Sequence, residues 1–246
     1  MTDKELFTKR MRRESRQIHN ISDALINAKL GIAMSDDKVW AEGLLLFYEI
    51  FKHLETALDR LKNTTVAQLD IPGMRRTTEF EKDLTFYLGS EWRENYTTRD
   101  SVLKYISHLT EIEENKPILL VAYIYHLYMG LFAGGQILKK KRALVMKLKF
   151  SSTSDPNEGL AVVSVGPDMY KIKKKMTDAM NAIAETLDEN TKDLLIKESQ
   201  NVFKFNNEMV RTIKGADSVF IRKMLKTVVA VVLLASLVYY FKRSQS

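Results

Sequence analysis

Three glycines, at positions 130, 134 and 135, lie within an apolar segment whose pattern is otherwise helical. Each glycine costs a helix roughly 1 kcal/mol relative to alanine, so some other interaction must offset them. Without Cβ atoms the backbone can bend and can approach a flat surface closely. That surface is either a planar ligand or a neighbouring helix, and the glycines alone slightly favour the helix.

A histidine, His19, lies beside the apolar stripe of the first predicted helix. A lone histidine there is either a metal ligand or an ordinary core or surface residue, and the ordinary residue is the commoner case. The chain has no cysteine, which excludes disulfides, cysteine nucleophiles, iron–sulfur clusters and thiolate-ligated haem. Without cysteine, a haem in this protein would need His, Tyr, Met or Lys as its iron ligand. Arg12 and Arg16 lie one and two turns before His19 and could bind carboxylates near such a ligand.

Several other kinds of chemistry are not indicated by the sequence. It has no Glu-x-x-His pair for a di-iron site, no P-loop, no His-Glu-x-x-His helix and no Gly-x-Ser-x-Gly elbow. The net charge of +7 is concentrated in two clusters, 139–142 and 171–175. These form either a solvated face or a site for an acidic partner, which could be a carboxylate ligand, an acidic protein or anionic lipid. No nucleic-acid partner is predicted, because no zinc-finger, basic-zipper or RNA-binding pattern is present.

The elements that position these residues are predicted to be helices throughout. Only 4 prolines and 10 glycines occur in 246 residues, and long stretches are rich in Lys, Glu, Leu and Met, which indicates an all-α protein with one helical domain. The apolar spacing and the capping residues predict helices over 4–30, from Asp36 or Asp37 to about 61, over 77–88, over 99–113, over 117–150 with an interruption at the glycines, and from Asp168 and Glu189 onward.

The C-terminal segment is predicted to cross a membrane. The N-terminus is charged and has no apolar core, so it is not a secretory signal. Residues 227–241 carry no charge and end in Tyr-Tyr-Phe. We therefore expect a domain over 1–215, a tether over 216–223, a C-terminal transmembrane anchor over 224–241 and a basic tail over 242–246; the alternative is a buried core helix. Residues 117–138 are also long and uncharged, but their tyrosines, histidine and glutamine favour a buried helix over a second span.

The glycine segment resembles the distal-helix signature of heme oxygenases. Residues 125–140 read YHLYMGLFAGGQILKK, against Tyr-x-x-Tyr-Leu-Gly-Asp-Leu-Ser-Gly-Gly-Gln-x-Leu in the family. The resemblance extends over about residues 4–214, and the predicted tail anchor also fits the family. The other matching pieces are Ile18-His19, Phe47-Tyr48, Glu81 to Leu84, Gly89 to Trp92, Glu158 to Ala161, Phe203 and Asn206.

This resemblance implies a heme oxygenase-like fold in which haem lies between the first and the distal helix. It implies that His19 is the proximal iron ligand, and that Gly130 and Gly134 let the distal helix lie over the ring. The positions that meet the haem propionates fall at or near Arg12, Arg16, Tyr125 and Lys173. Haem would be both cofactor and substrate, and oxygen with NADPH electrons from a flavoprotein reductase would convert it to biliverdin, carbon monoxide and ferrous iron. The family also implies the endoplasmic reticulum membrane as the location, with the domain facing the cytosol.

The sequence departs from the family at distal positions. Leu131 replaces the aspartate that orders proton-delivering water, Leu127 replaces an arginine, Ala133 replaces a serine, and Thr177 replaces a basic residue near a propionate. Leucine can neither donate nor accept a hydrogen bond, so turnover is expected to be slow or less regioselective. The main alternative is a haem sensor, a haem buffer or a weak peroxidase without efficient ring opening. A tail-anchored adaptor that binds no haem would leave the glycines unexplained.

Overall fold

The described part of the chain folds into α-helices. A computed structural model describes residues 5–33, 36–94, 96–149 and 158–215, with single positions between 219 and 228. Within these ranges no strand occurs, and 3-10 turns at Thr65–Leu69 and Pro117–Leu119 link helices. The α-helices are α1 (Phe7–Glu14), α2 (Arg16–Ala33), α3 (Asp37–Arg60), α4 (Thr77–Leu88), α5 (Asp100–Asn115), α6 (Leu120–Lys149), α7 (Met169–Glu185) and α8 (Glu189–Arg211).

The centre of the fold is α6, whose first turns are completely buried. Residues 120–124 have no exposed surface, and the helix packs against α7 and α8. In the described part of the chain, Pro117–Met146 is the helix that is long and apolar enough to cross a membrane, and 56% of its most apolar window is buried inside the domain. It therefore lies in the protein core, as the sequence favoured.

The glycines do not interrupt α6, so the predicted break is wrong. The helix runs unbroken from Leu120 to Lys149, and the positive-φ glycines of the described chain are at other positions, 73, 89, 159 and 215. The physical reason is tertiary packing. An apolar helix buried along its first half gains enough from the core to outweigh the weak helical preference of its glycines.

The first predicted helix is divided in two at Ser15. Its hydroxyl donates to the carbonyl of Met11 (2.8 Å), and its backbone leaves helical geometry at φ −97° and ψ 0°. Serine hydroxyls compete in this way with the helical hydrogen-bond ladder. The expected end before Gly31 is also wrong, since α2 continues to Ala33.

Other boundaries agree with the sequence. Asp36 caps α3 by accepting hydrogen bonds from the N–H groups of Lys38 (3.1 Å) and Val39 (3.3 Å), as its position predicted. The predicted helix over 77–88 coincides with α4, and α8 begins at Glu189 as expected.

A loop after α6 is attached to α4 by a buried carboxylate. Asp83 accepts the N–H groups of Ala161 (2.8 Å) and Val162 (2.9 Å), and burial raises its pKa to about 6. The loop also accepts a hydrogen bond from Gln136 at the carbonyl of Val163 (2.9 Å). The Gln136 contact holds one side of α6 against this loop. Gly130 and Gly134 lie on a different side of α6, which faces away from the loop.

We expect Gly159→Ala to lower stability by about 1–3 kcal/mol. Gly159 has φ +72°, and a Cβ there would lie 2.5 Å from Cδ1 of Phe86 and 2.6 Å from the hydroxyl of Tyr87. Gly89→Ala is the matched control, because Gly89 has φ +86° but nothing within 4 Å of its Cβ position. Thermal unfolding of both variants separates the cost of backbone strain from the cost of steric clash. Equal losses of stability in the two variants would mean that a Cβ at residue 159 meets no clash.

One residue of the predicted tether, Val219, packs on the domain. Val219 is buried, and its N–H donates to the carbonyl of Gly215 (3.0 Å). A Cβ at Gly215 would meet the side chain of Val39 at 3.1 Å. Apart from positions 224, 225 and 228, the predicted anchor and basic tail lie outside the described residues, and they stay predictions.

Candidate functional site

We place the candidate site between α2 and α6, in a region that we term the cleft. Both helices pack closely against α8, but in the described part of the chain they do not pack extensively on each other. The helix α8 therefore forms the floor of the cleft. One helix contributes His19 and the other contributes the glycines, so the fold brings together the two features that the sequence identified separately.

On the face of α6 that lies along the cleft, the backbone at two glycines is not covered by side chains. Gly130 and Gly134 are exposed, and a Cβ built at either position would have no heavy atom within 4 Å. Gly135 points elsewhere, since its Cβ would lie 3.3 Å from Cγ1 of Val163. The first two glycines therefore face open space, which favours a planar ligand over the close helix crossing considered from the sequence.

The imidazole of His19 is accessible from the cleft. Its side chain is 49% exposed, and its Nδ1 lies 3.4 Å from Oδ2 of Asp23, one turn later in α2. The ring packs edge-on against Phe203 of α8, with 5.2 Å between ring centroids. An exposed imidazole with one nitrogen near a carboxylate is arranged as metal-binding histidines usually are.

A second histidine, His126, packs on the same phenylalanine and was not identified as a site residue from the sequence. Its ring lies 5.1 Å from that of Phe203, again edge-on. Its Nε2 is buried without a hydrogen-bond partner, and burial, followed by the charge of His19, lowers its pKa to about 3. The available signal was its position, four residues before Gly130 on the same face of α6.

Tyr125 and Arg12, two of the four predicted propionate-binding residues, lie near each other and near Thr177 at one end of the cleft. Tyr125 is 9% exposed; burial raises its pKa, while a hydrogen bond with Thr177 and the charge of Arg12 act in the opposite direction. Lys173 is half-buried one turn before Thr177, whose hydroxyl donates to the Lys173 carbonyl (3.0 Å). Arg16 is exposed at the start of α2. Cations and a tyrosine hydroxyl at this end could bind carboxylates.

Two leucines, Leu127 and Leu131, stand where the sequence predicts a departure from the distal-helix signature. Leu127 is 6% exposed, and Leu131, one turn later, is partly buried and packs against the core. The Cδ1 of Leu131 lies 3.6 Å from the position of a Cβ on Gly135. Ala133 is exposed. The side of α6 that carries Leu127 and Leu131 is therefore apolar, while Ala133, two residues after Leu131, lies on nearly the opposite side of the helix.

The residues present fit a haem. The open face of Gly130 and Gly134 could accommodate a flat ring, and His19 could supply an axial nitrogen. The Nε2 of His126, at the same cleft, is buried without a hydrogen-bond partner, and a bound ligand could provide one. In the described residues no three His, Asp or Glu side chains cluster to hold a bare metal ion.

We expect Gly134→Leu to weaken haem binding about 10- to 100-fold, which corresponds to about 1–3 kcal/mol of overpacking. The haem-free protein should not lose stability, because the new side chain meets no protein atom. Gly135→Leu is the matched comparison and should destabilise the haem-free protein, since it would press on Val163. Haem titration and thermal unfolding of both variants test this, and unaltered haem affinity in Gly134→Leu would place the ring elsewhere.

The sequence is similar to known heme oxygenases over most of its length. The heme oxygenase family pattern matches residues 5–212. Heme oxygenase 2 of Macaca fascicularis is 29% identical over 181 residues, which are 73% of this chain and 56% of that protein. Heme oxygenase 1 of Nostoc is 27% identical over 172 residues, which are 69% of each chain. The matched part thus spans little more than half of the mammalian relative.

Solved structures of heme oxygenases share this fold. The haem-free crystal structure of heme oxygenase 2 from Chlamydomonas reinhardtii superposes with a TM-score of 0.77 at 26% identity, covering 85% of this chain and 98% of that one. Heme oxygenase-1 of Synechocystis, solved in complex with haem, superposes at 0.74 with 21% identity, covering 95% of this chain and 100% of the other, and supports the fold alone. With the match over residues 5–212, these similarities show that the chain belongs to the heme oxygenase family.

Proposed function

We propose that this protein is a heme oxygenase that binds haem between α2 and α6 and opens it to biliverdin, carbon monoxide and ferrous iron. The observation that carries the proposal is the pairing of an exposed imidazole, His19, with a glycine face on α6 that no protein atom covers. Membership of the family supports haem as the substrate. Bound haem would supply the iron that activates oxygen and the ring that is opened.

The side chains around the cleft would bind and orient the substrate. His19 would supply the axial nitrogen, and Gly130 and Gly134 would let the backbone of α6 approach the ring closely enough to restrict where oxygen can attack. Tyr125, with Arg12 at the same end, would bind the propionates and so fix the ring's rotation within the cleft.

The side of α6 that carries Leu127 and Leu131 is apolar and offers no side chain that could move a proton. Neither Leu127 nor Leu131 can order water by hydrogen bonding. We therefore propose slow or less regioselective turnover. The same observation favours a second candidate function, in which the protein binds haem as a sensor, a buffer or a weak peroxidase without efficient ring opening.

Electrons from NADPH would be delivered by a flavoprotein reductase. The basic residues near the propionate end suit an acidic partner, although local pairs reduce their net charge. Lys171 binds Asp168 (2.7 Å) and Lys174 binds Asp178 (2.6 Å).

Single-turnover chemistry distinguishes the two functions. The protein is incubated with haem, oxygen, NADPH and a flavoprotein reductase, and biliverdin and carbon monoxide are measured. Formation of about one biliverdin per haem supports the heme oxygenase function. Stable haem binding without either product supports the sensor, buffer or peroxidase function, and no haem uptake contradicts both.

We also propose that residues 224–241 anchor the protein in the endoplasmic reticulum membrane with the domain in the cytosol. Deleting residues 225–246 should release the protein into the soluble fraction without changing haem affinity, because the deletion leaves Val219 and its packing in place. Fractionation of cells with both forms, followed by haem titration, tests this. A truncated protein that stays with membranes would locate the membrane contact in the domain.

A further inference from the structure

A hydrogen-bonding side chain, His126, shares the face of α6 that carries the open glycines. Positions 126, 130, 133 and 137 recur every three or four residues, so their side chains project from one side of the helix. Glycine, alanine and isoleucine occupy the last three of these positions. His126 therefore supplies the polar group of this face. In the part of the chain that the structure describes, its Nε2 is buried without a hydrogen-bond partner.

The glycines lie between His126 and the two leucines around the axis of α6. Successive residues of an α-helix are rotated by about 100°, which places His126 on one flank of Gly130 and Gly134. Leu127 and Leu131 fall on the other flank, and neither can form a hydrogen bond through its side chain. A polar side-chain contact from this part of α6 to a ligand over the glycines therefore has to come from His126.

Phe203, on the floor of the cleft, contacts one imidazole from each wall. His19 of α2 and His126 of α6 both pack edge-on against its ring, with 5.2 and 5.1 Å between ring centroids. A haem that lies between α2 and α6 consequently has His19 on one side and His126 on the other. With the iron bound by His19, His126 is on the side where oxygen has to bind.

We propose that His126 is a catalytic residue whose Nε2–H donates a hydrogen bond to the small molecule bound opposite His19. That molecule is water in the resting protein and dioxygen in the reaction. This inference rests on the proposed binding of haem between α2 and α6. Burial lowers the pKa of His126, so its imidazole is neutral and has one N–H to donate. The contact stabilises the negative charge that develops on the oxygen, which the leucines cannot do.

Carbon monoxide bound to the ferrous haem of the full-length protein is a direct probe of this contact. A hydrogen bond to its oxygen weakens the C–O bond, so His126→Phe, which keeps an aromatic ring but removes the donor, should raise the C–O stretching frequency. Dioxygen should dissociate about three- to tenfold faster, as expected for the loss of one hydrogen bond. The iron–histidine stretching frequency should not change, because the haem separates His126 from His19.

Three further variants separate the hydrogen bond from packing. His126→Gln retains an N–H donor and should return the C–O frequency toward its original value. His126→Leu removes the donor with a different shape and should match His126→Phe. His53→Phe is the matched control, because the buried Nε2 of His53 also lacks a hydrogen bond to any described residue, but His53 lies on α3 near Glu113 (4.0 Å). It should leave both readouts unchanged.

The outcomes are distinct for the inference and for the proposed function. Both apolar variants should fold, because the nitrogen that they remove has no hydrogen bond to lose in the described structure, and thermal unfolding of the haem-free proteins checks this. An unchanged C–O frequency and unchanged dioxygen release in haem-loaded His126→Phe and His126→Leu overturn the role of His126 alone. A ferric spectrum of two axial nitrogens that is lost in these variants also overturns it, since Nε2 would then bind the iron itself. If the unaltered protein takes up no haem, the proposed function fails and this inference fails with it.

Discussion

Replacing His19 by alanine should abolish the normal absorption spectrum of the haem complex while leaving the haem-free protein folded. The side chain is 49% exposed, touches the edge of Phe203 and lies 3.4 Å from Asp23, so its loss removes little packing. The axial nitrogen, in contrast, has no substitute at that position. We expect a shifted Soret band and a haem affinity reduced by at least about tenfold.

Imidazole provides the control for this prediction. Added to His19→Ala, it can occupy the space of the missing ring and should restore the spectrum of the unaltered protein. Thermal unfolding of the haem-free variant confirms that the fold is intact. An unchanged Soret band and affinity in the variant would mean that another group binds the iron.

The general architecture could be predicted from the sequence because it depends on local patterns. The limits of α4 and the Asp36 cap follow from apolar periodicity and a single side-chain oxygen. The break at Ser15 and the unbroken course of α6 could not be predicted. The first depends on how one hydroxyl competes with the helix, and the second depends on packing from distant parts of the chain.

The site was predictable in its residue types but not in its arrangement. The sequence indicated that glycines and a histidine had a ligand-binding role, yet only the fold shows that Gly130 faces open space while Gly135 faces Val163. His126 was noted only as a polar residue in an apolar helix. Its position beside the site depends on Phe203, which is 77 positions away in the numbering and adjacent in space.

Introducing a carboxylate on the apolar side of α6 should accelerate the proposed ring opening. Leu131 is partly buried and can order no water, so Leu131→Asp should recruit water beside the ring and supply protons to the reaction. Loss of comparable polar assistance costs enzymes about 10²- to 10³-fold, and we expect a partial recovery on the order of tenfold. Peroxidase activity should fall in the same variant.

The second leucine determines how complete that recovery is. Leu127 is 6% exposed and one turn before Leu131, so Leu127→Arg alone would bury an unpaired charge and should destabilise the protein by about 3 kcal/mol. Combined with Leu131→Asp, the arginine gains a partner on the same helix face. The double variant should therefore be more stable than Leu127→Arg and faster than Leu131→Asp.

The measurements are biliverdin formed per haem in a single turnover, and thermal unfolding, for the unaltered protein and the three variants. Unfolding separates a variant that reacts slowly from one that folds poorly, because only a folded variant with bound haem reports on proton supply. If folded, haem-loaded variants all give the yield and rate of the unaltered protein, then the leucines do not limit the reaction. The proton must in that case reach the ring from another side of the cleft, where the polar groups include Tyr125 and Thr177 at the propionate end and His126 on α6.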